Sequence, residues 1–270
     1  MIKKAIIPAA GFGTRSLPIT KVIPKEMFPI ENKPSIQYVV EEAILAGIEQ
    51  LLIVVSRSKN VILDYFDHSM ELELFLQKAK KSALMEKVKL PDMQIFYTRQ
   101  PFARGLGDAV RLGKEFVNGD PFVVLLPDDI VIGRGIVDLI EEFEQLKSPI
   151  VGLQEVDPAR LHHYGVIQGV PVKENLCRVV KVVEKPKQNP PSNLALIGRY
   201  VLTPNIMEIL ETLPPDASGE IQLTDGISQM LAKDKCYGKI ISGRRFDIGS
   251  GADYLALQNY LFNQKPNSQH

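Results

Sequence analysis

Two short segments near the start of the chain carry residue types suited to handling phosphate. They are Ala9-Ala10-Gly11-Phe12-Gly13-Thr14-Arg15 and, ten residues on, Pro24-Lys25-Glu26. The apolar run Ala5 to Ile7 reads as a strand breaking into a loop whose small residues let backbone N–H groups approach an anion. Lys3, Lys4, Arg15, Lys21 and Lys25 all precede the first carboxylate, Glu26, although the whole chain balances 32 basic against 32 acidic residues. The positive charge is therefore local, which fits a small anionic ligand. The loop is not a P-loop, because Gly-x-x-x-x-Gly-Lys-Ser/Thr is absent. Nor is it the dinucleotide fingerprint, since Ser16 stands where the third glycine belongs and Pro18, Pro24 and Pro29 follow in place of a helix. For the glycines alone a tight turn without ligand competes; Arg15 and Lys25 argue against it.

Four further segments could complete a site. Phe122 to Leu126 is an apolar strand that delivers Asp128 and Asp129 at its carboxyl end, where open α/β sheets place their ligands. Magnesium takes one or two carboxylates together with substrate phosphates, so this acidic pair complements a nucleoside triphosphate on the glycine loop; an Asp-initiated turn is the competing reading. A second acidic candidate, Asp247, lies in Arg245-Phe246-Asp247-Ile248-Gly249. Gln100 offers the donor and acceptor needed to read a pyrimidine edge, with Gly105 and Gly107 allowing close backbone approach, unless the segment is a plain strand-to-helix connection. In Val183-Glu184-Lys185-Pro186 the carboxylate could accept from sugar hydroxyls and the ammonium could pair with a phosphate. Adjacent side chains of an extended strand point to opposite faces, so both reach one ligand only if the strand ends or twists there; otherwise they are an edge-strand surface pair.

The elements that must position these groups follow an α/β pattern with a largely parallel sheet. Strands are predicted at Ala5 to Ile7, Leu51 to Val55, Gln94 to Thr98, Phe122 to Leu126 and Ile150 to Val156. Helices are predicted near Ser35 to Ala46, Asp108 to Phe116 and Ile136 to Leu146, with a charged helical excursion at Ser69 to Lys87. Gly47 marks a helix end. After about residue 157 shorter strands appear, at Gly165 to Gln168, Arg178 to Glu184 and Leu196 to Val201. Helices at Asn205 to Thr212 and Glu220 to Ala232, a strand near Gly238 to Ile241 and a helix from about Ala252 to Phe262 complete the chain. This divides residues 1–263 of one domain into a first part to about 156, a second layer over about 157–249 and a C-terminal helix over 250–263, ahead of a disordered tail, 264–270.

Composition sets outer limits. With 45% hydrophobic residues the 270-residue chain can bury a full core. No apolar run reaches the roughly 18 residues of a membrane span, and Pro8 and Gly11 interrupt any signal-peptide block, so a cytoplasmic protein is expected. Cys177 and Cys236 are too few for a disulfide framework or a thiolate cage, and balanced charge argues against nucleic-acid binding. His162-His163 shows no zinc spacing.

In this order the segments resemble the sugar-phosphate nucleotidyltransferases, and within them the bacterial UTP–glucose-1-phosphate uridylyltransferases. The resemblance rests on Ala9 to Arg15, Pro24-Lys25-Glu26-Met27, Lys33 to Val40, Gln100 with Gly105 to Gly107, Leu126-Pro127-Asp128-Asp129 and Tyr164-Gly165-Val166-Ile167. It extends through Val183-Glu184-Lys185-Pro186, Ile197-Gly198-Arg199-Tyr200 and Gly219-Glu220-Ile221-Gln222-Leu223-Thr224-Asp225. It implies a Rossmann-like nucleotidyltransferase fold, a mixed and mostly parallel central sheet flanked by helices with a smaller sugar-binding β subregion. Ala9, Ala10, Gly11, Glu26, Gln100, Gly105 and Gly107 would then bind the nucleotide, with Gly13, Arg15 and Lys25 at its phosphates and the last two catalytic. Gly165, Glu184 and Gly198 would hold the sugar, Lys185 its phosphate, and Asp128 and Asp247 Mg2+. The implied reaction joins UTP and glucose 1-phosphate into UDP-glucose and pyrophosphate, in a homo-oligomer with no nucleic-acid or membrane partner. A thymidylyltransferase, a transferase for another sugar phosphate, and a non-catalytic nucleotide-sugar-binding subunit are the alternatives.

Overall fold

The computed structural model describes residues 1–264. Nine strands form one sheet in the order Gln94–Arg99, Gln50–Val55, Lys4–Ala9, Phe122–Leu125, Leu194–Leu202, Ile150–Glu155, Tyr237–Ile240, Leu176–Glu184 and Gly165–Lys173. The first four are parallel. Leu194–Leu202 then enters antiparallel to both its neighbours, so the sheet is parallel on one side and mixed on the other. The three neighbouring strands Lys4–Ala9, Gln50–Val55 and Phe122–Leu125 are almost continuously apolar because helices cover both their faces.

Strand alternation divides the core in two. Ile7, Ile53 and Val123 face helices Ser35–Leu45 and Ile136–Leu146, through Val39, Val40, Leu139 and Phe143. Ile6, Leu52 and Val124 face the opposite layer, which contains Val110, Ile206, Leu210 and Ile227. Helix Gly251–Gln264 joins the first layer through Leu257 and ties down the early loop, with Tyr254 Oη and Gln258 Nε2 donating to the Pro29 carbonyl.

Several local readings change. The helix expected over Asp108 to Phe116 is two pieces, Leu106–Arg111 and Lys114–Val117. The break falls at Gly113, where the backbone lies so close to the sheet that a Cβ would sit 2.5 Å from Ile6 Cδ1. The charged excursion likewise splits into Met70–Lys78 and Ser82–Met85, with Lys80 at φ 54° between them. Helix Asn60–Phe66 was not anticipated; with only Ile62 and Phe66 buried it is too short to show a period. The tail expected from Gln264 changes too: Gln264 closes the last helix, and 265–270 lie outside the described residues. No helix among the described residues is long and apolar enough to cross a membrane.

A buried ion pair crosses between the first helix and the sheet. Arg199, with no exposed surface, donates from Nε to Glu42 Oε1 at 2.8 Å and from Nη2 to Glu42 Oε2 at 2.6 Å. Its remaining hydrogens reach the carbonyls of Gly198 (2.8 Å), Leu126 (3.3 Å) and Asp129 (2.7 Å), while Glu42 Oε1 also accepts from the Ile136 amide at 2.8 Å. Removing one partner strands the other charge in the core. Glu42→Ala is expected to cost about 3–5 kcal/mol of stability, read as a lowered urea midpoint, whereas Lys114→Ala at the exposed Lys114–Glu211 pair should leave the midpoint near wild type.

Candidate active site

At the carboxyl end of the parallel strands lies a cleft with two halves of about 440 and 450 Å3. Thr14, Leu106, Leu126, Asp128, Lys185 and Gln222 line both, so the halves meet at a junction holding one carboxylate and one ammonium. Ala10, Gly11, Lys25, Glu26, Gln100 and Gly105 line the first half. Arg15, Gly165, Glu184, Gly198 and Asp247 line the second. The structure thus brings most of the sequence-derived residues around one space, with the two groups of candidates separated into its two halves.

Three of them sit elsewhere. Ala9 is buried at the end of its strand, and Gly13 stands behind the loop at φ 66°, a left-handed turn that its missing Cβ makes accessible. Gly107 is pressed against the Ile221 carbonyl, which its N–H reaches at 2.8 Å. Gly105 lines the cleft, yet a Cβ there would also meet the Ile221 carbonyl, at 2.7 Å, so its φ of 94° serves this packing as well.

The loop after Phe122–Leu125 separates the two neighbouring aspartates. Asp128 faces cations: Lys25 Nζ lies 2.5 Å from Oδ2 and Arg15 Nη2 lies 3.7 Å from it. Asp129, expected as the other half of an acidic pair, also lines the second half but is committed to other partners. Its Oδ2 accepts the Gly198 amide at 2.7 Å and its Oδ1 accepts Arg245 Nε at 2.8 Å, while Arg245 lies over the Tyr164 ring. The reason is a ribbon in which Asp129–Ile132 pairs antiparallel with Arg244–Asp247, placing Asp129 opposite Asp247. That same ribbon carries Asp247 to the site, where Arg15 Nη1 reaches its Oδ2 at 3.2 Å.

Asp128 and Asp247 therefore flank one guanidinium. Burial opposes ionisation of Asp128, but Lys25 and Arg15 outweigh it and hold the carboxyl at about 2. Burial likewise opposes charge on Lys25, and Asp128 and Glu26 overcome this to raise its pKa. No group of three or more His, Cys, Asp or Glu among the described residues could hold a metal ion. Two hard carboxylates that already face a cation fit magnesium, which would draw its other oxygens from phosphates and water.

Glu184 and Lys185 resolve the problem of alternation. Lys185 has φ 42°, so the strand ends there in a left-handed step and both side chains line the cleft, 3.0 Å apart. Glu26 is committed differently from its expected role. Its carboxylate is fully buried and takes Lys59 Nζ on both oxygens at 2.8 Å, so it holds the Lys25 turn against helix Asn60–Phe66. No local motif marks Lys59, which lies in the Ser58-Lys59-Asn60 stretch leading into that helix. Gln222, Thr224, Tyr200 and Arg245 also line the cleft without an assigned role. Gln222 and Thr224 carry a visible signal, a polar pair directly before and within helix Leu223–Met230, yet nothing local says that this helix faces the site.

Known proteins are similar to this chain along nearly its whole length. The family model described as nucleotidyl transferase matches residues 4–264. A relative from Staphylococcus saprophyticus, UTP–glucose-1-phosphate uridylyltransferase 2, is 49% identical over 259 residues, covering 94% of this chain and 90% of its own. Two solved structures are similar throughout. A UDP-glucose pyrophosphorylase complexed with UDP-glucose shares 39% identity at TM-score 0.87, covering 98% of this chain and 100% of the other. A UTP-bound UGPase from Acinetobacter baumannii shares 37% identity at TM-score 0.90, covering 99% and 95%.

The cation–carboxylate arrangement has a pH signature. Because the folded Asp128 pKa lies below its ordinary value of 3.8, its contribution to stability is present above that value and is lost as pH falls toward about 2. In Lys25→Met burial loses its main opponent, so the Asp128 pKa should rise and the site should disfavour the ionised form. The urea midpoint of the variant, relative to wild type, should therefore fall as pH increases from 3 to 6; a constant difference across that range would remove the assignment.

Proposed function

The chain belongs to the nucleotidyl transferase family, and from that premise we propose that it transfers a uridylyl group from UTP to α-D-glucose 1-phosphate, giving UDP-glucose and pyrophosphate. The observation that carries this reading is the meeting of the two half-clefts at Asp128 and Lys185. One half offers a glycine loop, Lys25 and Gln100, a nucleotide's complement. The other offers Glu184 and the backbone at Gly165 and Gly198, a polyol's complement. The names of the similar proteins and the UTP and UDP-glucose in the solved relatives support the choice of base and sugar.

In the reaction a phosphate oxygen of glucose 1-phosphate forms a bond to the α-phosphorus of UTP as the α–β bridging bond breaks and pyrophosphate leaves. The attacking oxygen is already anionic, so no protein nucleophile or general base is required. The obstacles are repulsion between two polyanions and their alignment. Arg15 and Lys25 offset charge on the triphosphate, and Lys185 pairs with the sugar phosphate. Glu184 accepts from sugar hydroxyls and orients the ring. Asp128 and Asp247 would hold a divalent cation, magnesium by its donor set, which supplies charge neutralisation at the reacting phosphates. A cytoplasmic location belongs to the same reading, since Cys177 and Cys236 are both free and buried.

Pyrophosphate release over a grid of nucleoside triphosphates and sugar 1-phosphates with magnesium tests class, base and sugar together. The highest rate is expected for UTP with glucose 1-phosphate. Asp128→Ala should lower that turnover by about 10²- to 10³-fold while circular dichroism remains native. Near-normal magnesium-dependent turnover in this variant would overturn the metal assignment, and binding of UTP with no pyrophosphate release would favour a non-catalytic subunit.

A further inference from the structure

Gln100 lies at the floor of the nucleotide half, 5% exposed, and its amide has a fixed orientation. Nε2 donates to Asp108 Oδ2 at 2.7 Å and to the Gly105 carbonyl at 3.2 Å. Both partners are acceptors, so turning the amide over would set its oxygen against a carboxylate and a carbonyl. Asp108, 3% exposed, is fixed in turn, because Arg111 donates to its Oδ1 from Nε at 2.9 Å and from Nη2 at 2.7 Å. Each Asp108 oxygen therefore has its own donor. Gln100 Oε1 makes no hydrogen bond within the protein and is not a sealed, unpaired atom. It opens to the cleft as an acceptor only.

An acceptor held rigidly there matches a base with a ring N–H, as uracil has at N3. Set against ring position 3 it opposes cytosine, whose N3 is itself an acceptor, and a buried acceptor facing an acceptor leaves both unpaired. We propose that Asp108, anchored by Arg111, is a positioning residue for base selection: it locks the Gln100 amide so that only its oxygen addresses the base. Asp108 touches no substrate and acts through Gln100. This rests on the reading of the first half-cleft as the site of UTP, and it adds what fixes the discrimination.

Asp108→Asn tests the lock. Asparagine supplies one acceptor oxygen where Arg111 and Gln100 each need one, so the Gln100 amide becomes free to turn and to offer its N–H groups to cytosine. Dissociation constants for UTP and CTP, measured by calorimetry on the full chain with magnesium, give a ratio that a loss of folded protein does not move. The UTP preference of the wild type should fall by about tenfold or more, with UTP weakened and CTP strengthened. In steady state the loss should appear mainly in the KM for UTP. If Asp108→Asn does not fold, Asp108→Ser, whose hydroxyl can either donate or accept, is read by the same ratio.

An unchanged ratio, or equal weakening of both nucleotides, overturns the proposal, as does a wild type that binds the two alike. A wild type that prefers UTP, loses the preference on substitution, yet releases no pyrophosphate with any sugar phosphate would leave this proposal standing and overturn the transfer reaction instead.

Discussion

The site depends on one buried charge pair, Glu42 with Arg199. Arg199 has no exposed surface and Glu42 is largely buried, so each is held by the other and by backbone groups that complete its hydrogen bonds. Those backbone groups are not incidental. Arg199 grips the carbonyls of Gly198 and Asp129, and Asp129 in turn accepts the Gly198 amide, so a glycine of the second half-cleft and the loop after the Phe122–Leu125 strand are fixed to the same guanidinium. Asp128, next in the chain, inherits its position. A side chain that does not itself line the cleft thus holds, through their carbonyls, residues that do.

Within the cleft, charges are arranged as alternating partners. Lys25, Asp128, Arg15 and Asp247 form a chain in which every carboxylate has a cation and every cation a carboxylate. Such an arrangement balances charge within the cleft and presents groups of both signs to it. Around it, second partners hold the first in place. Glu26 is held by Lys59, Asp129 by Arg245, and Asp108 by Arg111. In each case a buried carboxylate ordered by one basic residue steadies a neighbouring element. This is how a cleft built largely on loops acquires fixed side-chain positions.

Much of this was legible in the residues. Apolar runs located the sheet strands because a strand covered on both faces must be almost wholly apolar, and Gly47, at φ 77°, closes the first helix as its position suggested. The glycine loop with Arg15 and Lys25, the Asp128 turn and the Glu184-Lys185 step were visible because chemistry and local backbone coincide there. Less legible were elements too short for a period, such as Asn60–Phe66, and roles set by distant partners. Glu26 and Asp129 looked like ligand-facing acids, and only Lys59 and Arg245 reveal their structural duty. Glu42 did leave a trace, an acid on the apolar face of the first helix between Val39, Val40 and Ala43, but its partner is 157 positions away.

The sequence by itself determined which residues could meet phosphate, metal and sugar, because those properties belong to side-chain type and to backbone freedom over a few neighbours. It also determined the alternation of strands and helices, through hydrophobic period. Tertiary structure alone decided that Asp247 joins Asp128 while Asp129 does not, since that follows from the pairing of Asp129–Ile132 with Arg244–Asp247. It alone decided which way the Gln100 amide faces, through Asp108 and Arg111. Pairing across more than a hundred residues and the orientation of a symmetric-looking amide depend on what surrounds a group in space, and local pattern carries no record of that.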